Sequence, residues 1–237
     1  MKKNSNIPIS CELQELATLF YNKQKTIFIV GGYIRDYLVG KNLEKSDIDI
    51  CSNCKIEEVV EILEGSKFLI KNINHQFGTL KIISENNKIF EYTTFRKEKY
   101  DNKGKHYPII VEFIDDIKKD CLRRDFTCNA IYYDILNNKF IDYFYGIEDI
   151  KNKTIKTIRS PEIVFSEDSE RILRMIRLAI DLNFNIDDKT YQAAKKCILS
   201  LKKISKKRFQ NELNKISNIK KLYKQQKLLE DFNIDIM

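Results

Sequence analysis

Asp47-Ile48-Asp49 places two carboxylates two residues apart in the chain. On an extended segment, residues i and i+2 point to the same side, so both acids would face one region about 7 Å apart along the strand. Neighbouring carboxylates repel unless a divalent cation lies beside them, and hard oxygen donors of this kind suit Mg²⁺. Ile48 and Ile50 alternate with them and would face a core. A third carboxylate, Glu91, opens the segment Glu91-Tyr92-Thr93-Thr94-Phe95-Arg96 and would complete a metal site. An Asp-x-Asp is also common on solvated strands, so the pair needs neighbours before it means chemistry.

Three further segments supply such neighbours. Gly31-Gly32-Tyr33-Ile34-Arg35-Asp36 ends eleven residues before Asp47. Two glycines between a strand and a helix let the backbone pass close to a ligand, and the helix N-terminus offers free N–H groups to a phosphate, with Arg35 in reach. Packing alone also produces such corners, and the GxxxxGK[ST] of a P-loop is absent. In Arg123-Arg124-Asp125-Phe126-Thr127-Cys128-Asn129-Ala130, adjacent arginines before an apolar helix could clamp a triphosphate while Asp125 accepts from a ribose hydroxyl. An Asp N-cap flanked by surface arginines is the plainer alternative. Finally, Asp168, Arg171, Arg174 and Arg177 recur every three residues on one expected helix, opposite Ile172, Leu173, Met175, Ile176 and Ala179. Ordinary helix ion pairing explains that stripe; a carboxylate and a guanidinium one turn apart could also read a base edge.

The elements that must position these groups follow from hydrophobic periodicity. The pattern predicts helices over Cys11–Lys23, Tyr33–Val39 and Ile56–Leu63, and strands over Thr26–Val30, Asp47–Cys51, Thr79–Ser84, Ile89–Phe95 and Ile109–Phe113. Asn86-Asn87 predicts a hairpin turn. Beyond Pro161 the pattern turns helical: Ser166–Leu182, Lys189–Leu199, Lys206–Ile216 and Lys220–Phe232. The expected architecture is α+β, a mixed-sheet head over residues 1–150 and an all-α segment over 151–237.

The 237 residues carry 42 Lys+Arg against 34 Asp+Glu, and 43% are hydrophobic, which excludes intrinsic disorder. The positive excess of eight lies entirely beyond Tyr191, where twelve basic residues face four acidic ones. Such a cluster is either a solvated helix face or a surface for a polyanion. No run approaches the roughly 18 apolar residues of a membrane span, and the N-terminus lacks an apolar signal segment, so a cytoplasmic protein is expected. Six cysteines are then expected as thiols. Cys51-Ser52-Asn53-Cys54 has no second CxxC, and the two histidines, His75 and His106, cannot complete a zinc site; small residues packing at a strand end is the reading.

Together the segments resemble the class II tRNA nucleotidyltransferase and bacterial poly(A) polymerase family. The GGxxRD corner, the DxD, the ExTTFR strand, RRDFTxNA, EDxxRxxRxxR and Ile204–Leu213, which is similar to the family's SxxRxxxEL neck motif, occur in the family's order over residues 26–215. The resemblance implies a nucleotidyltransferase head, a mixed sheet flanked by helices, followed by a helical neck. It implies template-free addition of C and A to the 3′ end of tRNA from CTP and ATP, with pyrophosphate leaving. Asp47 and Asp49 would hold Mg²⁺, with Glu91 the third carboxylate. Gly31, Gly32, Arg35 and Asp36 would meet nucleotide phosphate, and Arg123, Arg124, Asp125 and Asn129 the triphosphate and ribose. Arg174 and Arg177 would meet the phosphates or the neck wall.

Asp168 and Arg171 would imitate a template base. C and A share an exocyclic amine beside a ring acceptor; U and G carry a carbonyl there, leaving buried polar groups unpaired at about 1–3 kcal/mol each.

Family members continue well past the neck into body and tail domains that hold tRNA. This chain stops at Met237, so either it is a shortened form or tRNA rests on a reduced surface, for which Lys202, Lys203, Lys206, Lys207 and Arg208 are the candidates. Relatives that add only CC lack part of the segment after ExTTFR; Lys97–His106 is present here, which favours full CCA addition over CC-only or A-only addition. A poly(A) polymerase ranks below these. A catalytically silent RNA-binding module is the alternative from another class, and intact Asp47 and Asp49 speak against it.

Overall fold

The computed structural model describes residues 7–44, 47–101, 107–217 and 222–234. In chain order these form α1 (Cys11–Asn22), β1 (Phe28–Val30), α2 (Gly32–Val39), β2 (Ile48–Ser52), α3 (Ile56–Leu63), β3 (Leu69–Asn74), β4 (Thr79–Ile83) and β5 (Ile89–Thr94). Then come β6 (Arg96–Lys99), β7 (Ile110–Phe113), α4 (Ile117–Cys121), β8 (Tyr132–Asp134), β9 (Lys139–Ile141), α5 (Gly146–Lys151) and β10 (Thr154–Ile155). The remainder is α6 (Pro161–Glu167), α7 (Glu170–Leu182), β11 (Asn185–Ile186), α8 (Asp188–Cys197), α9 (Lys206–Ser217) and α10 (Leu222–Asp231). The class is α+β, as expected.

Two compact units are present. The first comprises residues 1–97, 111–124 and 129–146; the second comprises 98–110, 125–128 and 147–237. The first holds a seven-stranded sheet in the order β3-β4-β5-β2-β1-β8-β9, in which β2 and β5 run parallel and the other pairs antiparallel. Alternation places Leu80, Ile82, Phe90, Tyr92 and Ile50 on the buried face, where α1 contributes Leu13, Leu16, Ala17 and Phe20. The second unit is built round α7, whose Ile172, Leu173, Met175, Ile176 and Ala179 are buried and whose neighbours include α6 and α9.

Three expectations are corrected. The apolar stretch after Arg124 is not a helix: Thr127–Asn129 makes one 3₁₀ turn and the chain then extends into β8. The helix expected over Ser166–Leu182 is two helices, because Asp168 takes an extended conformation (φ −143°, ψ 105°) between α6 and α7. Asp and Ser bond nearby backbone and so favour helix ends over helix interiors, a local preference that the continuous apolar period conceals. Strands β3 and β6 had no periodic signal, since β3 is an exposed edge strand and β6 reads Arg-Lys-Glu-Lys. No described helix is long and apolar enough to cross a membrane.

Candidate active site

In the first unit, β1 leads straight into the Gly31 corner, and the register Val30↔Asp49 brings β2 alongside it. Gly31 sits at φ +81°, and a Cβ there would lie 3.2 Å from Asp49 Oδ2 and 4.0 Å from Arg124 Nη1. A side chain there would be strained by conformation and would press on the Asp49 carboxylate. The small opening left by glycine is edged by a carboxylate on one side and a guanidinium on the other. Asp47 is exposed and stands one residue ahead of β2. A carboxylate at the corner with a second exposed one two residues earlier is the kind of hard oxygen donor set that suits a divalent ion such as Mg²⁺.

Glu91 does not join them. Among the described residues no three His, Cys, Asp or Glu side chains gather closely enough to hold a metal. Glu91 is the register partner of Asp49 across β2 and β5, but its Oε1 pairs with Lys81 Nζ at 2.7 Å. In this arrangement Glu91 is engaged by Lys81 rather than gathered with Asp47 and Asp49.

Arg35 is also differently employed. It is 8% exposed, donates through Nη1 to Asn129 Oδ1 at 2.7 Å and through Nε to Asp36 Oδ1 at 2.9 Å. The guanidinium folds back over Gly32, where a Cβ would be 3.4 Å from Nη2. Arg35, Asp36 and Asn129 thus tie α2 to the chain before β8.

The arginine pair is organised by a residue the sequence reading passed over. Asp120 on α4 is fully buried, accepts from Arg123 Nε at 2.8 Å and from the Arg96 N–H at 3.0 Å, and pairs with Arg124 Nη2 at 3.3 Å. Tyr132 on β8 donates its hydroxyl to the same carboxylate and accepts from Arg124 Nε at 2.8 Å. Burial pushes Asp120 upward, but the two arginines and Tyr132 outweigh it and hold the acid at about 2. Arg124 is left with Nη1 directed at Gly31. The signal was in the sequence: Asp120 stands three and four residues before Arg123 and Arg124, the spacing at which helical charges meet.

The same segment then passes into the second unit. Thr127 N–H bonds the Lys156 carbonyl and Ile158 N–H the Asp125 carbonyl, with Phe126 bridged to Thr157, so Asp125 and Phe126 are pinned against residues 156–158 ahead of the 3₁₀ turn rather than capping an α-helix. Asp125 Oδ2 pairs with Arg174 Nη2 at 3.3 Å.

Asp168 and Arg171 do not form the expected pair on one helix. Asp168 lies in the break and its Oδ1 accepts from the Glu170 N–H at 3.0 Å. Arg171 donates through Nη1 to Glu167 Oε2 at 3.0 Å and lies over the Tyr100 ring. Burial raises the Asp168 carboxyl, with Arg171 only partly offsetting it. A raised carboxyl costs stability at neutral pH, where it is ionised, and less as pH falls. Asp168→Asn keeps an Oδ1 for the Glu170 N–H and removes the buried charge. Its stability at pH 7 in urea unfolding is therefore expected to equal or exceed wild type, and a clear loss would contradict that balance.

Arg177 and Arg208 hold the helices together. Arg177 Nε meets Glu212 Oε2 on α9 at 3.1 Å, and Arg208 Nε on α9 meets Glu170 Oε2 on α7 at 2.6 Å. Arg208, expected at the RNA surface, is engaged in this reciprocal pair of ion bridges with its side chain still 36% exposed. Lys202, Lys203, Lys206 and Lys207 are all exposed and pair with no described carboxylate. Lys220 and Lys221, and residues 102–106 of the segment tied to A addition, lie outside the described residues. Cys51 and Cys54 are buried free thiols, raised by burial, as the packing reading holds.

Comparison with known proteins agrees with this geometry. Residues 27–156 match the family described as Poly A polymerase head domain, and residues 183–234 match "Probable RNA and SrmB- binding site of polymerase A". The CCA-adding enzyme of Staphylococcus aureus (strain MRSA252) is 35% identical over 209 residues, 87% of this chain and 50% of that protein. The crystal structure of the Bacillus stearothermophilus CCA-adding enzyme in complex with CTP superposes with a TM-score of 0.81 at 27% identity, covering 94% of this chain and 53% of that one. A tRNA nucleotidyltransferase complexed with a primer tRNA and an incoming ATP analog gives 0.74 at 27% identity, over 92% of this chain and 60% of that one. The chain spans about half the length of the curated relatives it matches. With more than half of its residues matched to the head domain, and its helical region to the accompanying RNA-binding segment, the chain belongs to the poly(A) polymerase head-domain family, the group of tRNA nucleotidyltransferases and poly(A) polymerases its motifs resemble.

Proposed function

We propose that the chain carries the nucleotidyl-transfer and neck parts of a tRNA nucleotidyltransferase, with residues 1–150 as head and 151–237 as neck, adding C and A to the tRNA 3′ end. The observation that carries this reading is the Gly31 corner, where the Asp49 carboxylate and the Arg124 guanidinium border one opening. Mg²⁺ held by Asp47 and Asp49 would offset the charge on the attacking ribose oxygen and the leaving pyrophosphate. The chain's own groups do the rest. Arg124, held in place by Asp120 and Tyr132, binds a triphosphate oxygen without having to be ordered first. The glycine backbone lets the phosphates approach closely.

Asp168 and Arg171 are assigned the choice of C and A. For that, Arg171 exchanges its Glu167 contact for a ring acceptor, while Asp168 accepts from the exocyclic amine. U and G would leave both buried groups unpaired. The assay supplies Mg²⁺, single nucleotides and tRNAs lacking the last one, two or three residues of their 3′ end, and sizes the products. Addition of C, then A, then arrest is expected. Long A tails would move the reading to poly(A) polymerase, and addition of only CC or only A to a partial activity.

The exposed lysines are the proposed tRNA surface. Neutralising Lys202, Lys203, Lys206 and Lys207 is expected to weaken tRNA binding at least tenfold at low salt. It should also reduce the slope of log affinity against log salt by about 3, since each phosphate contact contributes about 0.7–0.9. Unchanged affinity and slope in a filter-binding titration would reject this surface.

A further inference from the structure

Three adjacent strands of the first unit carry one polar row. In the strand register Lys81 on β4 stands opposite Glu91 on β5, and Glu91 stands opposite Asp49 on β2. The flanking residues Leu80, Ile82, Phe90, Tyr92 and Ile50 are buried on the other face, so the row lies on the open face of the sheet. Lys81 Nζ grips Glu91 Oε1 at 2.7 Å, and Asp47 adds to the pull on the same ammonium after Glu91 itself. We propose that Lys81 is a positioning residue for the metal site: a resident cation that holds Glu91 out of the ligand set and limits how tightly Asp47 and Asp49 bind a divalent ion. This rests on the reading that Asp47 and Asp49 hold the metal.

The reasoning is electrostatic. Asp47, Asp49 and Glu91 would together present three negative charges on one strand row, and three carboxylates form a tight cage for a divalent cation. An ammonium fixed on the third removes one ligand and adds a like charge near the ion. Mg²⁺ is suited to sites of one or two carboxylates completed by substrate phosphates, so a site weakened this way takes its metal together with the nucleotide. The Lys81–Glu91 pair has side chains 37% and 48% exposed, so it adds little to folding, and a purely structural role leaves it almost without effect.

The test is Mn²⁺ binding to the full chain without nucleotide, followed by the electron paramagnetic resonance signal of the free ion. Lys81→Met is expected to bind Mn²⁺ about three- to tenfold more tightly, the size of removing one like charge at about 7 Å in a water-exposed setting. Lys81→Arg keeps the charge and should stay within about twofold of wild type. Glu91→Gln should cost less than about threefold while Lys81 is present, yet clearly more in the Lys81→Met background, where the carboxylate is released toward the ion. Unchanged affinity in Lys81→Met overturns the proposal. So does an equal loss from Glu91→Gln in both backgrounds, because Glu91 would then already be a ligand. Asp49→Asn should abolish binding throughout; Mn²⁺ retained there would overturn the metal reading itself, and the proposal with it.

Discussion

Asp49→Asn is expected to lower nucleotide addition at least a thousandfold while leaving the melting temperature within a few degrees of wild type. The carboxylate is half-buried at the end of the sheet, 3.2 Å from where a Gly31 Cβ would stand, and Asn fills the same volume. What changes is the charge. A metal ion supplies several kcal/mol of transition-state stabilisation in phosphoryl transfer, and each 1.36 kcal/mol is a factor of ten in rate. Losing about 4 kcal/mol through a displaced or weakly held ion gives the thousandfold figure. Asp47→Ala should behave alike, because Asp47 is exposed and its removal opens no cavity. Single-turnover extension of a tRNA lacking its terminal A checks both. Rates within tenfold of wild type in either variant would refute the metal assignment.

What could be read from the residues divides along physical lines. Strands β4 and β5 and helices α1 and α3 were legible because one face of each is buried and the apolar period records it, and β1 and β2 because consecutive residues of each are buried. The Gly31 corner was legible because glycine there answers a positive φ and a close approach together, a combination that strains any side chain. Arg35 could not be placed from sequence, since its partner Asn129 is 94 residues away and only the fold brings them together. The partner of Glu91 could not be read either: its type and position fit a ligand, but Lys81, which it pairs with, is on β4, and strand order is a tertiary fact. The break at Asp168 was hidden because buried residues continue on both sides of it, while only the backbone of Asp168 itself turns extended (φ −143°, ψ 105°).

Asp120→Asn is expected to cost about 3–5 kcal/mol of stability at pH 7, the largest folding effect of any single substitution at the site. Removing one member of a buried ionic cluster leaves the remaining charges uncompensated, and here they are two guanidinium groups, with Tyr132 and the Arg96 N–H on the same acceptor. Asn preserves the shape but turns an NH₂ group toward donors, so at least one contact becomes a donor–donor clash. The dependence on pH identifies the cause. Asp120 is held at about 2, below the ordinary 3.8, so its contribution is fully present above about pH 4 and is lost as pH falls toward 2. A displacement of that size corresponds to about 2–3 kcal/mol. Urea unfolding of wild type and variant should therefore give curves that differ most near pH 6 and converge between pH 4 and 2. If the difference stays constant over that range, Asp120 acts through shape and hydrogen bonding alone. The ionic explanation for how Arg124 is aimed at Gly31 would then fail.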